Sequence, residues 1–352
     1  MKKIIVILLI ICQSFLMLTG CNQNASSNDA SNVTINVYNW GDYIAPNVIE
    51  KFTQQTGIEV IYETFDTNES MYTKLKSGAV NYDVLFPSDY MIQKLISEDL
   101  LYPLNKNNLP NYSYIEDNFR NLAFDVGNVY SIPYTWGTVG ILYNTTMVDE
   151  PVDSWDILWN EKYANSIIMQ NSVRDTFGIA LKKLGYSINT INKEEVEQAK
   201  ELLIQQKPLV SAYVIDEVKD KMIGNEAALA VIYSGEAQYT YSQNSDLAYV
   251  VPKEGSNVWV DAMCIPNSSK HKEAAEKFIN YLCESDIAYL NASYIYYGSP
   301  HSGAKEMLAP EILENQALYP SQEIIDRCEV YIDLGTEMNQ FYDEKWTELK
   351  GE

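Results

Sequence analysis

Length, composition and charge restrict the classes of protein to which this chain can belong. Its 352 residues can build a sizeable core divided between two domains, and a hydrophobic content of 46% is typical of a globular protein. Asp and Glu number 48 against 25 Lys and Arg, and the resulting formal charge of −23 argues against nucleic acid as a partner.

The N-terminus has the pattern of an export signal. Lys2 and Lys3 precede a nearly unbroken apolar run over 4–18, which ends in Leu-Thr-Gly-Cys21. A charged start, a short apolar stretch and small residues before a cleavage point predict a signal peptide over 1–20. The ending resembles the lipobox of bacterial lipoproteins, which implies that the Cys21 thiol is lipidated and becomes the new N-terminus. An incidental Cys after an ordinary signal peptide is disfavoured, because the Cys stands at the end of the apolar run.

A polar segment follows, and then the chain alternates between strand and helix patterns. Residues 21–32 are expected to form a lipidated Cys and a flexible tether. Strands are predicted over 33–39, 58–65 and 82–86, and helices over 46–55, from an N-cap at Asn68 to a stop at Gly78, and over 90–98. This order predicts a largely parallel sheet with helices on both faces.

The second half repeats the alternation. Strands are predicted over 140–143, 166–169, 227–233 and 258–265, and helices over 176–184, 194–205, 272–283 and 336–349. Two α/β lobes are the economical arrangement of these elements. The extended stretches 134–140 and 253–260 are expected to cross between the lobes.

Cysteine and histidine usage gives no sign of a metal or cofactor site. Cys264, Cys283 and Cys328 show neither metal-ligand spacing nor an even-numbered framework, and the first two lie in apolar stretches as expected of buried thiols. Only His271 and His301 are present, and hydrolase motifs are missing, which disfavours an exported hydrolase using two acids for acid/base chemistry.

Aromatic residues with nearby carboxylates recur at the predicted strand ends, where ligands bind in open parallel sheets. The segments are Trp40-Gly-Asp-Tyr43, Pro87-Ser-Asp-Tyr90, Ser172-Val-Arg-Asp175, Tyr233-Ser-Gly-Glu236 and Trp259-Val-Asp261. Aromatic faces attract cations and cover methylene chains, and carboxylates form charge-assisted hydrogen bonds with ammonium groups. The pattern suits a linear polyammonium ion. Stacking on a sugar stays open as an alternative, and calcium is disfavoured because no DxDxDG loop is present.

At these residues the chain resembles the spermidine/putrescine-binding proteins of bacterial ABC importers. The resemblance runs from about Ile35 to the C-terminus and includes YNWGDYI, YDVLFPSDY, YSIPYTWGTVGI, VPKEGSNVWVDAMCIP and YGSPHSGA. It implies the two-lobed periplasmic-binding-protein fold, each lobe a mostly parallel sheet flanked by helices, with a ligand cleft between lobes. The implied first lobe is 33–137 plus 261–305, and the implied second lobe is 138–260 plus 306–352.

The resemblance also implies a set of ligand-binding residues, with Asp261 as the expected anchor of a terminal ammonium. They are Trp40, Tyr43, Ser88, Tyr90, Asp175, Tyr233, Trp259, Asp261, Tyr297 and Tyr331. Two positions depart from relatives: Ser172 replaces an acid that some carry, and Tyr331 replaces a Gln. Asp89 and Glu236 are extra acids beside matched positions, and Asp89 is included in the candidate site.

The sequence therefore predicts a monomeric, exported binding protein rather than an enzyme. Its expected partners are a polyamine, the membrane permease of an ABC importer and, through the lipid, the outer face of the cytoplasmic membrane. Capture of another solute, such as a sugar or an amino acid, by the same fold is the principal alternative, and a sensory output with the same ligand is another.

Overall fold

The structure is a computed structural model that describes residues 33–351. The predicted signal peptide, the predicted lipidation site Cys21 and the tether lie outside the described residues. No helix within the described part is both long and apolar enough to cross a membrane.

The described chain contains nine strands, thirteen α-helices and six short 3-10 helices. The strands are β1 (Thr34–Trp40), β2 (Glu59–Phe65), β3 (Val84–Leu85), β4 (Ser131–Asn144), β5 (Ile167–Gln170), β6 (Val210–Val214), β7 (Leu229–Tyr233), β8 (Leu247–Val250) and β9 (Val258–Cys264). The helices are α1 (Val48–Thr56), α2 (Asn68–Ser77), α3 (Asp89–Ser97), α4 (Val173–Lys183), α5 (Lys193–Gln206), α6 (Val218–Ile223), α7 (Ser234–Gln243), α8 (Lys272–Leu282), α9 (Ser285–Ile295), α10 (Ser302–Lys305), α11 (Pro310–Leu313), α12 (Gln322–Ile325) and α13 (Gly335–Gly351).

The expected parallel pairs are present, but antiparallel pairs join them. β1 pairs in parallel with β2 and β3, and β5 pairs in parallel with β6 and β7. The order β2-β1-β3-β9-β4-β7-β5-β6 is continuous, and β8 pairs with β4. All pairings of β4 and β9 are antiparallel. β9 is the last strand in the described chain, and it lies between β3 of the first group and β4.

The long strand β4 belongs to both groups of strands. Its first part, Ser131–Thr138, pairs with β9, and its second part, Val139–Asn144, pairs with β7 and β8. The sequence pattern predicted only 140–143 as a strand here, because Pro133 and Gly137 interrupt the apolar pattern of the first part. The predicted crossover 134–140 lies within β4.

Apolar side chains form one core on the first group of strands and further cores on the second. The first contains Phe52, Phe86 and Phe278, whereas Trp155 and Phe177 belong to clusters around the second group. Separate cores joined by shared strands give the two lobes of the fold.

Helix α2 begins with a cap that differs from the predicted one. The Thr67 hydroxyl accepts from the amide of Ser70, and the Ser70 hydroxyl accepts from the Thr67 amide, which makes Thr67 the N-cap. The sequence pattern had assigned this role to Asn68. The Asn68 side chain instead contacts Ser88, at the start of α3.

The segment before β9 and the segment before α13 run beside each other. Val258 donates to the carbonyl of Glu329, and Glu329 donates to the carbonyl of Ser256, at 3.0 and 2.9 Å. Gly255 lies in this packing with φ 83°, and a Cβ atom there would stand 1.9 Å from the Arg327 carbonyl oxygen. The connection to β9 therefore requires glycine at this point.

Replacing Gly255 tests this packing. We expect Gly255→Ala to lower the free energy of unfolding by about 3 kcal/mol, because left-handed strain adds to a backbone clash. Gly57→Ala is the matched control: Gly57 has φ 73°, and a Cβ atom there would meet no other atom within 4 Å, so strain alone costs about 1 kcal/mol. Urea unfolding of both variants measures the difference, and equal losses would contradict the role of the Arg327 contact.

Candidate functional site

The first carboxylate of the candidate site is Asp261 on β9. It is 3% exposed, and its Oδ2 accepts a 2.7 Å hydrogen bond from the hydroxyl of Tyr43. Its Oδ1 is buried without a hydrogen-bond partner among the described residues. Burial raises the pKa of Asp261 from 3.8 to about 6, although the nearby hydroxyls of Ser88 and Tyr43 act to lower it. A buried carboxylate with one oxygen unpaired is suited to receive a cationic donor.

The second carboxylate is Asp175, in the first turn of α4. Its Oδ2 accepts from the hydroxyls of Ser172 and Tyr233, both at 2.7 Å, and the Tyr331 hydroxyl, which donates to the Arg174 carbonyl at 2.9 Å, lies 3.3 Å from its Oδ1. Ser172 is the N-cap of α4, Tyr233 ends β7, and Tyr331 lies between α12 and α13. Three separate parts of the chain therefore converge on this carboxylate.

A row of four aromatic rings connects the two carboxylates. The ring of Tyr43, bonded to the first carboxylate, lies 6.1 Å from that of Tyr297. Tyr297 lies 4.8 Å from Trp259 with the ring planes at 85°, and Trp259 lies 6.2 Å from Tyr233, which is bonded to the second carboxylate. The four rings are therefore successive neighbours from the first carboxylate to the second.

Tyr297 is fixed in this row by its neighbour in the chain. Gly298 exchanges two backbone hydrogen bonds of 3.0 Å with Trp136 of β4, so the segment runs beside the long strand. On the other side the Tyr297 ring covers Gly235, where a Cβ atom would lie 2.2 Å from the ring. Any larger residue at Gly235 would displace the ring from the row.

Trp40, Ser88 and Tyr90 flank the first carboxylate to different degrees. Trp40 donates its indole N–H to the carbonyl of Phe86 at 2.8 Å and lies 6.4 Å from the Tyr43 ring. Ser88 forms an antiparallel bridge with Asp261. Tyr90 donates its hydroxyl to Glu69 at 2.9 Å, and no hydrogen bond ties its hydroxyl to either carboxylate within residues 33–351.

The two extra acids differ in what their oxygens contact. Asp89 is fully buried, and its oxygens accept from the amides of Tyr90 and Val260 at 2.6 and 3.3 Å. Glu236 has one oxygen 3.5 Å from the Lys219 ammonium and one buried oxygen without a partner in the described chain. Burial raises the pKa of Glu236 to about 7.

The sequence did not predict the roles of two residues that hold site residues in place, Tyr134 and Ser172. Tyr134 donates its hydroxyl to the carbonyl of Tyr43 at 2.6 Å and so supports the ring that binds Asp261. The sequence feature that could have indicated this role is the position of Tyr134 at the start of the predicted crossover 134–140. Ser172 was treated only as the loss of an acid, but its hydroxyl holds Asp175. Within residues 33–351 no group of three or more His, Cys, Asp or Glu side chains is arranged to hold a metal ion.

Comparisons with known proteins agree on one family. Residues 47–319 match the family model described as bacterial extracellular solute-binding protein. The chain is 37% identical to the spermidine/putrescine-binding periplasmic protein of Salmonella typhimurium over 331 residues, which cover 93% of each chain.

Solved structures give the same result. The putative spermidine/putrescine ABC transporter from Listeria monocytogenes is 44% identical and superposes with a TM-score of 0.86, over 90% of this chain and 98% of that one. The Tp0655 (TpPotD) lipoprotein of Treponema pallidum is 26% identical, with a TM-score of 0.82, over 90% and 99% of the two chains.

The raised pKa of Asp261 predicts a stability effect in the ligand-free protein. Between pH 4 and 6 Asp261 keeps in the folded protein a proton that it has released in the unfolded chain, so its contribution to stability falls as the pH rises through this window, by about 3 kcal/mol. Asp261→Asn removes this penalty. At pH 7.5 we expect the variant to exceed the wild type by up to about 3 kcal/mol in urea unfolding, and at pH 4 we expect the difference to vanish.

The matched control for this experiment is Asp42→Asn, which removes an exposed carboxylate directly before Tyr43. It should leave the pH dependence unchanged. A wild type whose stability does not fall between pH 4 and 6 relative to Asp261→Asn would contradict the proposed burial cost.

Proposed function

The chain belongs to the family of bacterial extracellular solute-binding proteins, and from this premise we propose that it captures a polyamine and delivers it to an ABC importer. The names of several relatives support spermidine, putrescine or both as the ligand. In this proposal the cleft holds the ligand and releases it chemically unchanged. The observation that carries the proposal is the row of aromatic rings with a buried carboxylate at each end.

The two carboxylates provide a site for each end of a linear cation. Asp261 has an unpaired buried oxygen, and no Lys or Arg of the described chain lies within salt-bridge distance of Asp261 or Asp175. A terminal ammonium supplies donors that charge-assisted hydrogen bonds require. Binding therefore replaces a buried, partly satisfied anion with a paired one.

The rings between the carboxylates suit the middle of such a ligand. Methylene groups pack against aromatic faces, and an ammonium group over a ring is attracted by the ring quadrupole. Trp259 stands edge-to-face between Tyr297 and Tyr233, which leaves ring surface at successive positions along the row. A sugar would use the rings but would not neutralise Asp261, so the burial of that carboxylate favours the cation.

Capture is proposed to occur by closure of the lobes, with 33–137 plus 261–305 as one lobe and 138–260 plus 306–352 as the other. Tyr43 and Asp261 then belong to the first lobe, and Asp175 and Tyr233 to the second. Closure removes water from the ligand and strengthens each ion pair. The shared strand β4 and the paired segments around Ser256 and Glu329 are the connections about which the lobes would move.

The export signal completes the proposed function. A lipid at Cys21 would keep a monomeric binding protein at the outer face of the cytoplasmic membrane, beside the permease. A relative described as a lipoprotein supports this form. The polar tether 22–32 would leave the lobes free to close and to contact the permease.

Calorimetric titration of residues 33–352 with spermidine and putrescine tests the ligand. We expect binding by at least one of the two, and Asp261→Asn should weaken it by roughly a hundredfold or more, because an ammonium loses its charged partner. Affinity should also fall as the pH drops below about 6, where Asp261 takes up a proton.

Asp117→Asn is the control, since the Asp117 side chain is 95% exposed and pairs with Arg120 rather than with a cleft residue. Its Kd should equal that of the wild type. Binding of a sugar or an amino acid, with no response to either polyamine, would sink the proposal.

The proposed lipid at Cys21 can be tested separately. Full-length protein expressed in a bacterial host should partition into detergent phase, and Cys21→Ala should move it to the aqueous phase or block its maturation, because the acyl chains are lost. Mass spectrometry of the mature N-terminus checks the lipid directly. Cys12→Ala is the matched control, and an unmodified wild-type N-terminus would refute lipidation.

A further inference from the structure

The strand that carries Trp259 and Asp261 is paired unevenly along its β3 side. Leu85 of β3 lies opposite Cys264, and the amide of Ala262 donates to the carbonyl of Pro87 at 3.1 Å. Ser88 then forms an antiparallel bridge with Asp261. In this register the next pair would be Asp89 and Val260.

At Asp89 the backbone has already left the sheet. Ser88 is the N-cap of α3, and the helix begins at Asp89, so no carbonyl continues the ladder. The amide of Val260 donates to Oδ2 of Asp89 at 3.3 Å, while Oδ1 accepts from the amide of Tyr90 at 2.6 Å. The carboxylate of Asp89 thus takes the place of the missing strand carbonyl.

Val260 stands between the two cleft residues of β9. Its side chain is 2% exposed and packs in the core that contains Phe52, Phe86 and Phe278, and side chains alternate along a strand, so Trp259 and Asp261 both lie on the other face. Holding the Val260 amide therefore fixes the backbone from which both cleft side chains project.

We propose that Asp89 is a positioning residue for ligand binding, whose carboxylate holds the Val260 amide and thereby fixes Trp259 and Asp261 in the cleft. The inference rests on the proposed function in assigning those two residues to the ligand. Asp89 is 0% exposed and both of its oxygens accept backbone amides, so it acts through β9 rather than by touching the ligand.

The charges around Asp89 accord with this role. Burial raises the pKa of Asp89 well above its ordinary range, and the nearby Asp261 carboxylate raises it further, whereas the two amides and Arg174 lower it. The Val260 amide needs an acceptor oxygen, which a neutral side chain also offers. A positioning residue at this place should therefore tolerate loss of charge and not loss of the oxygen.

Asp89→Asn and Asp89→Ala separate these requirements. We expect the Kd for the better-bound polyamine to stay within about threefold of wild type in Asp89→Asn, because its single amide oxygen can face Val260; its NH2 then faces the Tyr90 amide, and that lost hydrogen bond lowers the free energy of unfolding rather than the affinity. In Asp89→Ala we expect the Kd to rise about tenfold or more, because a buried N–H loses its acceptor. Hydrogen exchange of the Val260 amide in the ligand-free protein should be faster in Asp89→Ala and close to wild type in Asp89→Asn.

Asp83→Ala is the matched control for general loss of stability. Asp83 is 1% exposed, and its oxygens accept from the Asn36 amide at 2.9 Å and the Ser269 hydroxyl at 2.6 Å, in the same lobe but off β9. It should destabilise the lobe and leave both the Kd and the Val260 exchange rate unchanged.

Three results would overturn the inference. They are an unchanged Kd in Asp89→Ala, an unchanged Val260 exchange rate in that variant, and a loss of affinity in Asp89→Asn as large as in Asp261→Asn. Should Asp89→Ala not fold, Asp89→Ser, whose side chain is shorter and lacks the carboxylate, takes its place and should show the same rise in Kd and in the Val260 exchange rate. If the wild type binds no polyamine, the proposed function fails, and the exchange rates still decide whether Asp89 holds Val260.

Discussion

The burial of Asp261 without a cationic partner is the constraint on which the site depends. The Tyr43 hydroxyl donates to one of its oxygens at 2.7 Å, and its other oxygen is unpaired among the described residues. Such a group opposes folding once it is ionised, so the surrounding fold must supply the stability that keeps it in place. A binding protein gains from this arrangement because the ligand relieves the cost when it arrives.

The fold holds this buried carboxylate in place because Asp261 lies on a central strand. β9 lies between β3 and β4, and β4 continues into the second lobe. The acid is therefore held on both sides by backbone pairing, while the Tyr43 hydroxyl reaches it from the loop after β1. Movement of the lobes can change what lies over the carboxylate without moving the carboxylate within its own lobe.

Local patterns predicted most of the elements and the main cleft residues. Strand-end motifs such as Trp259-Val-Asp261 indicated the chemistry, since aromatic and acidic residues with fixed spacing mark a place where a cation can sit. The partners within the site could not be read in this way. The Tyr43–Asp261 hydrogen bond joins residues 218 positions apart, and the acceptor role of Asp89 depends on where β3 stops and α3 starts. Asn is a residue type favoured at helix N-caps, but Thr67 rather than Asn68 is the N-cap of α2, because Thr67 forms a capping box with Ser70.

The two ends of the cleft are unequal, and this inequality bears on how a ligand is selected. Asp175 already accepts from the hydroxyls of Ser172 and Tyr233, and the Tyr331 hydroxyl lies 3.3 Å from its other oxygen, so an ammonium arriving there must share or displace donors that satisfy the carboxylate. Asp261 has an unpaired oxygen and a pKa raised by burial, so pairing there yields the larger change in free energy. A ligand with one ammonium should therefore bind first at the Asp261 end. The length of the ligand affects its selection only when a second ammonium can reach Asp175 along the aromatic row. The hydroxyls of Ser172 and Tyr331 then determine how strongly that second ammonium is bound.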